Sequence, residues 1–390
     1  MKKLILLKTT GFLLLLLILL LPGAAFAKTY FVSPKGSDKN SGESSAPFKT
    51  IQKAADVVRA GDTVIVRDGT YVNESKGKYI VYLKRGGDRS GWITFRAENK
   101  WGAVLDGQDN RTHFGWGFGR NVEYVRVEDF EIKGTRNTAL MLEEASNLYF
   151  YGNKINSIAR YVVPCNARDA GRGNNGSFSP SEARHITYDG NYFFDIGRLP
   201  GGCDKHDYNK DHGLYVKGQN VKIFNNIFYN NKSGWAVQID GVHGAGDISI
   251  INNSFYGPNP RKKGHIILWG ECNDITIRNN ISHSPNHAFI DSSFRQDDDT
   301  NIVISNNFVY GGKLITRAHS SYHITDNITG LEEPVFVSLD KPDFRLLPGS
   351  PVIGKGFAPG APARHCDGNP RRKDTVDIGA YEYTGGRTKK

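Results

Sequence analysis

The chain has 390 residues, 44 of them glycine, and a formal net charge of +10. It lacks the long apolar periodicity of a helix bundle, and its four cysteines are too few for a disulfide scaffold, so stability has to come from a packed core. The basic excess suits an anionic partner such as an acidic polysaccharide, a charged cell surface or nucleic acid, and by itself does not choose among them.

In chain order, Lys2, Lys3 and Lys8 precede the unbroken apolar run Phe12 to Leu21, and Ala25-Phe26-Ala27 supplies small residues for a cleavage site. The run falls short of the roughly 20 residues a spanning helix needs. Residues 1–27 are therefore expected to be a signal peptide cleaved after Ala27, with a secreted or periplasmic mature chain and no stable membrane insertion. Residues 28–75 follow as an N-terminal cap and first coil. Phe48, Ile51, Ala54, Ala55 and Val58 have the spacing of one helical face. Gly61 ends that helix, and Asp62-Thr63-Val64-Ile65-Val66 begins a strand.

From residue 76 to 330 short strands recur. The units run Asn147 to Asn153, His185 to Asn191, Asn220 to Asn226, Asp247 to Asn253, Asp274 to Asn280 and Asn301 to Asn307, and the last three steps are each 27 residues. A weaker copy ends at Asn327, and an early one, Tyr124 to Asp129, places Asp in the Asn position. Each unit alternates apolar and polar residues, the pattern of a strand with one buried face. A second short strand follows each time, at Leu214 to Lys217, Val237 to Asp240, Ile266 to Trp269 and Ala288 to Asp291. Strands at this spacing with no helices between them wind as a solenoid, whereas a propeller blade needs about 40–45 residues. The turn Asn should stack coil upon coil, its amide satisfying turn backbone groups. Residues 331–390 lose the period and form a C-terminal coil, cap and tail.

Three segments carry a resemblance. Tyr30 to Asp38, Pro47 to Gln52 and Gly61 to Tyr71 resemble the N-terminal signature of right-handed parallel β-helix proteins of the pectate-lyase-like superfamily. Asp343 to Leu346, Pro348 to Pro351 and Asp377 to Tyr381 are similar to its closing segment. The resemblance implies an all-β, right-handed parallel β-helix with an N-terminal capping helix. For function it implies a choice among polysaccharide lyases, hydrolases, uronate epimerases and non-enzymatic surface proteins.

Strand phase then selects an outer face. Outward residues would form one column of Glu143, Lys217, Asp240, Trp269 and Asp291, and a second of Met141, Tyr215, Gln238, Ile267 and Phe289. A third would bring His265 and His287 together beside Ala139, Gly213 and Ala236. The steps from Asn153 to Asn191 and on to Asn226, 38 and 35 residues, make room for two insertions. One holds Arg168 and Arg172; the other runs through Asp204-Lys205-His206-Asp207 to Asp211 and His212. Long loops beside a rigid face are where such scaffolds keep their sites. Cys165 and Cys203, in these insertions, are the expected disulfide.

β-Elimination on a uronate needs a base for the C5 proton, an acid for the leaving oxygen and a neutraliser for the carboxylate. Lys217 is assigned as base, Tyr215 or His212 as acid, and Arg168 or Arg172 as neutraliser. Gln238, Asp240, His265 and Trp269 are placed along the substrate. Hydrolysis would instead use carboxylates such as Asp207, Asp211 and Asp240. Asp204-Lys205-His206-Asp207 is similar to the Asp-Pro-His-Asp motif of mannuronan C5-epimerases, which makes His206 and Asp207 candidates for epimerisation at the same site. No cofactor is demanded; Ca²⁺ is a possible neutraliser, although the outward Asp cluster of calcium-dependent pectate lyases is missing. The expectation is a monomeric polysaccharide lyase acting on an acidic polysaccharide, with no nucleic-acid partner. A C5-epimerase and a non-catalytic glycan-binding surface protein are the alternatives.

Overall fold

The computed structural model describes residues 27–75, 77–162, 173–200, 210–231, 233–257, 259, 262–294, 298–331 and 335–385. Within them three parallel sheets of eleven, nine and ten strands wind around one core, accompanied by a two-stranded antiparallel hairpin. Every turn of the chain contributes one strand to each sheet through most of the solenoid. The expected parallel β-helix is therefore the observed fold.

Register shows why this sequence winds so regularly. In the eleven-stranded sheet Val125, Leu148, Ile186, Val221, Ile248, Ile275 and Ile302 pair in succession. All are essentially inaccessible to solvent. Burying each such side chain stabilises by roughly 1.5–3 kcal/mol. In the adjoining sheet Phe193, Phe228 and Phe255 stack face to face at 5.1 and 4.9 Å. β-Branched and aromatic residues repeat because each coil presents the next with the same pleated surface.

The polar pair closing each unit divides its work. The first residue turns the corner with positive φ: Gly152 and Gly190 at 65° and 66°, then Asn225, Asn252, Asn279 and Asn306 between 53° and 58°. Gly and Asn are the residues that enter this region at least cost. The second residue builds the ladder. The Asn253 amide donates to Ile223 O at 2.8 Å and to Asn280 Oδ1 at 2.9 Å, while its Oδ1 accepts from Asn226 N and Nδ2. The pattern repeats from Asn153 to Asn327. The early copy differs from expectation. Asp129, at φ 63°, takes the turning position, so the ladder position falls on Phe130, whose backbone N–H donates to Asn153 Oδ1 at 3.0 Å.

The ends are covered in different ways. The N-terminal helix Ile51–Val57 is capped by Thr50, whose hydroxyl accepts from Lys53 N, and it buries Ile51, Ala54 and Ala55. Its Gln52 side chain binds both N and O of Tyr82 at 2.7 and 3.0 Å. Tyr82 lies on the edge strand of the nine-stranded sheet, so one glutamine occupies backbone groups that would otherwise invite another strand. At the other end the parallel coils stop at Ile328–Thr329. The remainder does not simply cap that end but runs back over the ten-stranded sheet. Phe344 meets Tyr229 and Tyr256, and the turn asparagines Asn225, Asn252 and Asn279 bind backbone of Arg364, Asp377 and Phe357. Those asparagines therefore turn a corner and also hold a strap.

Candidate functional site

The nine-stranded sheet carries the site. Its outward column runs Tyr82, Gly117, Met141, Phe178, Tyr215, Gln238, Ile267 and Asp291. Phe178 belongs to the strand Ser177–Ser179, which supplies the rung between Met141 and Tyr215. Over this column lies a cleft of about 400 Å³ lined by Lys78, His113, Asn137, Phe178, Tyr215 and Lys217, among others. Gly173 and Asn175, which directly follow the first insertion, also line it. Arg168, Arg172, His206, Asp207 and the Cys165–Cys203 pairing lie outside the described residues. The two described cysteines, Cys272 and Cys366, are buried free thiols.

One carboxylate ties together the residues Tyr215 and Lys217 of the cleft. Asp240, 1 % exposed, accepts the Tyr215 hydroxyl proton at 2.7 Å and meets His243 Nδ1 at 2.8 Å, both on Oδ2. Lys217 Nζ stands 4.0 Å from the same oxygen and lies over the Tyr215 and Phe178 rings, 5.1 and 5.8 Å from their centroids. Burial, and then Asp240, hold the Tyr215 phenol well above its ordinary range, so the tyrosine stays protonated with its proton aimed at Asp240. The other Asp240 oxygen is buried without a partner among the described residues. The cluster thus presents an amine on an aromatic shelf, with its tyrosine fixed in orientation.

Other expected residues are placed elsewhere. His212 is buried, its Nδ1 accepting Trp235 N–H at 3.1 Å and its ring edge-on to Tyr215 at 5.4 Å. Burial first, then the nearby Lys262 charge, pushes it down to about 3, so it is a neutral support for Tyr215. Asp211 is fully buried in a two-pronged ion pair with Arg198, at 2.8 and 2.9 Å, and also accepts backbone N–H from Asn174 and Arg198. Its oxygens are occupied by structure. Gln238 sits beside Tyr215, and Trp269 follows Asp240 in register. Trp269 is 37 % exposed and tilts against the equally exposed Phe294 at 4.7 Å.

Two columns need correction. Gly264 pairs with Ala288 and, in the same unbroken register, Ile267 with Asp291; a register shift beyond that pair then sets Trp269 beside Phe294. Asp291 therefore leaves the Lys217 column and takes the place expected for Phe289. His265 faces inward. It stacks on Phe255 at 5.7 Å and its ring nitrogens meet Ser282 Oγ and Gly257 O, each at 2.9 Å. Phe289, rather than His287, is its neighbour, with Phe255 and Phe289 centroids 5.4 Å apart. The reason is a corner. Strict alternation holds only while the chain is extended, and here the backbone is turning into the sheet. Gly176 and Gly213 occupy that corner because a Cβ would meet the Phe193 and Phe228 rings.

Lys78, His113 and Asn137 had no signal in the repeat, because the ladder that sets the phase starts only at Asn153, and Phe178 stands between two serines in a strand of three residues. Among the described residues no three His, Cys, Asp or Glu side chains converge to hold a metal ion, and no helix is long and apolar enough to cross a membrane.

Residues 30–190 match the family described as the Pel9A-like, right handed β-helix region. That match spans about two fifths of the chain, and the fold it describes is the one observed. Over 78 residues, 20 % of the chain, it is 36 % identical to the uncharacterized protein YwoF of Bacillus subtilis. Over 86 residues, 22 % of the chain, it is 34 % identical to pectate lyase PEL9 of Emericella nidulans. These matches span only 15 % and 20 % of the two relatives' lengths. The solved structure of pectate lyase Pel9A superposes with a TM-score of 0.53 at 17 % identity, covering 93 % of this β-helix and 98 % of that chain. A glycoside hydrolase does so with 0.54 at 11 %, covering 77 % and 96 %. At these identities the solved structures share the fold.

Proposed function

We propose that this β-helix is an exported enzyme that degrades a uronate-containing polysaccharide by β-elimination, with Lys217 as the base. The observation that carries the reading is Lys217 itself, an amine lining the cleft over two aromatic faces with its tyrosine neighbour locked by Asp240. The amine form removes the C5 proton, electrons move to form the C4–C5 double bond, and the C4–O bond breaks. Lys78, lining the same cleft, is available to the C6 carboxylate. The names of the similar pectate lyases support the substrate class.

The test is release of unsaturated uronate from pectate, alginate and glycosaminoglycans, followed by ultraviolet absorbance. Lys217→Ala should lose on the order of 10²–10⁴-fold, the range of a general base. Lys217→Arg keeps the charge but gives a group that does not deprotonate in proteins, so it should be as inactive as alanine. Activity in the arginine variant would make Lys217 a carboxylate clamp and refute the base assignment. Altered C5 configuration without new chain ends would identify an epimerase, and tight polymer binding without product a glycan-binding protein.

A further inference from the structure

We propose that His113 is a catalytic residue of this cleft, the acid that protonates the leaving oxygen opposite Lys217; the assignment rests on the β-elimination reading. A polar column crosses the corner leading into the nine-stranded sheet. His113 Nδ1 lies 2.6 Å from Asn137 Oδ1, Asn137 Nδ2 donates to Asn174 Oδ1 at 2.8 Å, and Asn174 N donates to Asp211 Oδ1 at 2.9 Å. The column ends on the buried Arg198–Asp211 ion pair. Each member sits one coil beyond the last, so the rigid interior of the solenoid orients a half-buried ring at the cleft wall.

That connectivity selects a tautomer. Asn137 uses its amide N–H on Asn174 and turns its oxygen to His113, so Nδ1 carries a proton and donates it. Nε2 has no partner among the described residues and is the ring edge left to the cleft, which His113 lines together with Lys217. A histidine held through Nδ1–H with Nε2 facing substrate is arranged for proton transfer at Nε2. Tyr215 is less suited, because its proton is committed to Asp240, and His212 is buried and neutral. In the reaction the C5 proton passes to the Lys217 amine and the C4–O bond breaks as the double bond forms. The imidazolium Nε2–H passes to the departing oxygen, leaving neutral imidazole with Nδ1–H still on Asn137. Water then reprotonates Nε2 and deprotonates Lys217.

Two measurements decide. Nitrogen-detected NMR of the neutral wild-type ring should show the Nδ1–H tautomer, and Asn137→Ala should shift it toward Nε2–H. An Nε2–H wild-type ring overturns the proposal whatever the activity. Kinetically, His113→Gln should lower kcat by about 100-fold or more on the polymer with KM little changed. On a uronide carrying a nitrophenoxy group at C4, which leaves without protonation, it should stay within about fivefold of wild type. Equal losses on both substrates, or none on either, overturn the acid role. A wild type with the Nδ1–H tautomer but no turnover of any uronate polymer overturns the lyase reading and this role with it. That result differs from failure of His113 alone, in which the wild type turns over and His113→Gln does too.

Discussion

Asn253→Ala removes one interior rung of the asparagine ladder. Asn253 is fully buried, and its loss strips Asn226 N–H and one Asn226 Nδ2–H of their acceptor and Ile223 O of a side-chain donor. A buried polar group left unmade costs about 1–3 kcal/mol. Two donors and one acceptor, partly relieved by relaxation, give a loss of about 3–6 kcal/mol against a typical total of about 5–15. Asn327→Ala is the control. It removes the equivalent bonds to Asn307, but at a partly exposed rung where water can replace them, so about 1 kcal/mol is expected. Urea unfolding measures both. Native-state hydrogen exchange at Asn226 and its neighbours localises the effect, because a repeat array need not unfold in one step. If Asn253→Ala costs no more than Asn327→Ala, the ladder is a by-product of the turn and not a source of stability.

Burial pushes His212 down to about 3 and His265, His283 and His365 down to about 4, from an unfolded value of 6.5. Each folded-state value is depressed, so the stability from these neutral rings is full above pH ~6.5 and drains as the pH falls toward 4, at up to about 1.4 kcal/mol per pH unit per ring. Denaturant midpoints at pH 7.5, 6, 5 and 4 should fall steeply, and less steeply in His265→Gln; a flat profile from 7.5 to 5 would contradict the burial. Asp211→Ala leaves Arg198 charged in the interior and should cost about 3–5 kcal/mol, whereas Arg198→Met with Asp211→Leu should recover much of it. Unfolding midpoints of a stable Asp211→Ala protein would show that the ion pair does not anchor the corner.

What could be read in advance follows from what repeats. The 27-residue step, the αL-prone Asn or Gly before each ladder Asn and the β-branched inner columns are local signals restated coil after coil, so the fold was legible. Lys217, Tyr215 and Asp240 were legible as a group because they lie on two adjacent, regular strands. His265 was misplaced because alternation stops at a corner, and Asp291 because the strands pair from Gly264 with Ala288, two residues away from the alignment of Ile266 with Ala288 that the apolar spacing suggests. Strand Ser177–Ser179 was missed because three residues, two of them serine, do not form an apolar pattern. His113 could have been found only through its pairing with Asn137 across a coil of 24 residues, where no repeat sets the phase.

The three outer faces differ in a way that bears on why the site lies where it does. The ten-stranded face is closed by the C-terminal strap. The eleven-stranded face presents Arg126, Tyr149, Thr187, Lys222, Ser249, Thr276 and Val303 in register, all at least partly exposed, as expected of a solvated sheet. On the nine-stranded face the outward Ile267 is fully buried, Asp291 1 % exposed and Gln238 9 %. Outward residues that are nonetheless dry require a further layer above them, and a polar one among them requires a partner or a function. Among the described residues, Gly173, Asn175 and Tyr215 line the cleft on this face. Tyr215 and Lys217 line the cleft, and the buried, half-satisfied Asp240 binds the one and neighbours the other. A carboxylate kept dry beside an amine contributes little to stability, which makes chemistry the better explanation for its presence.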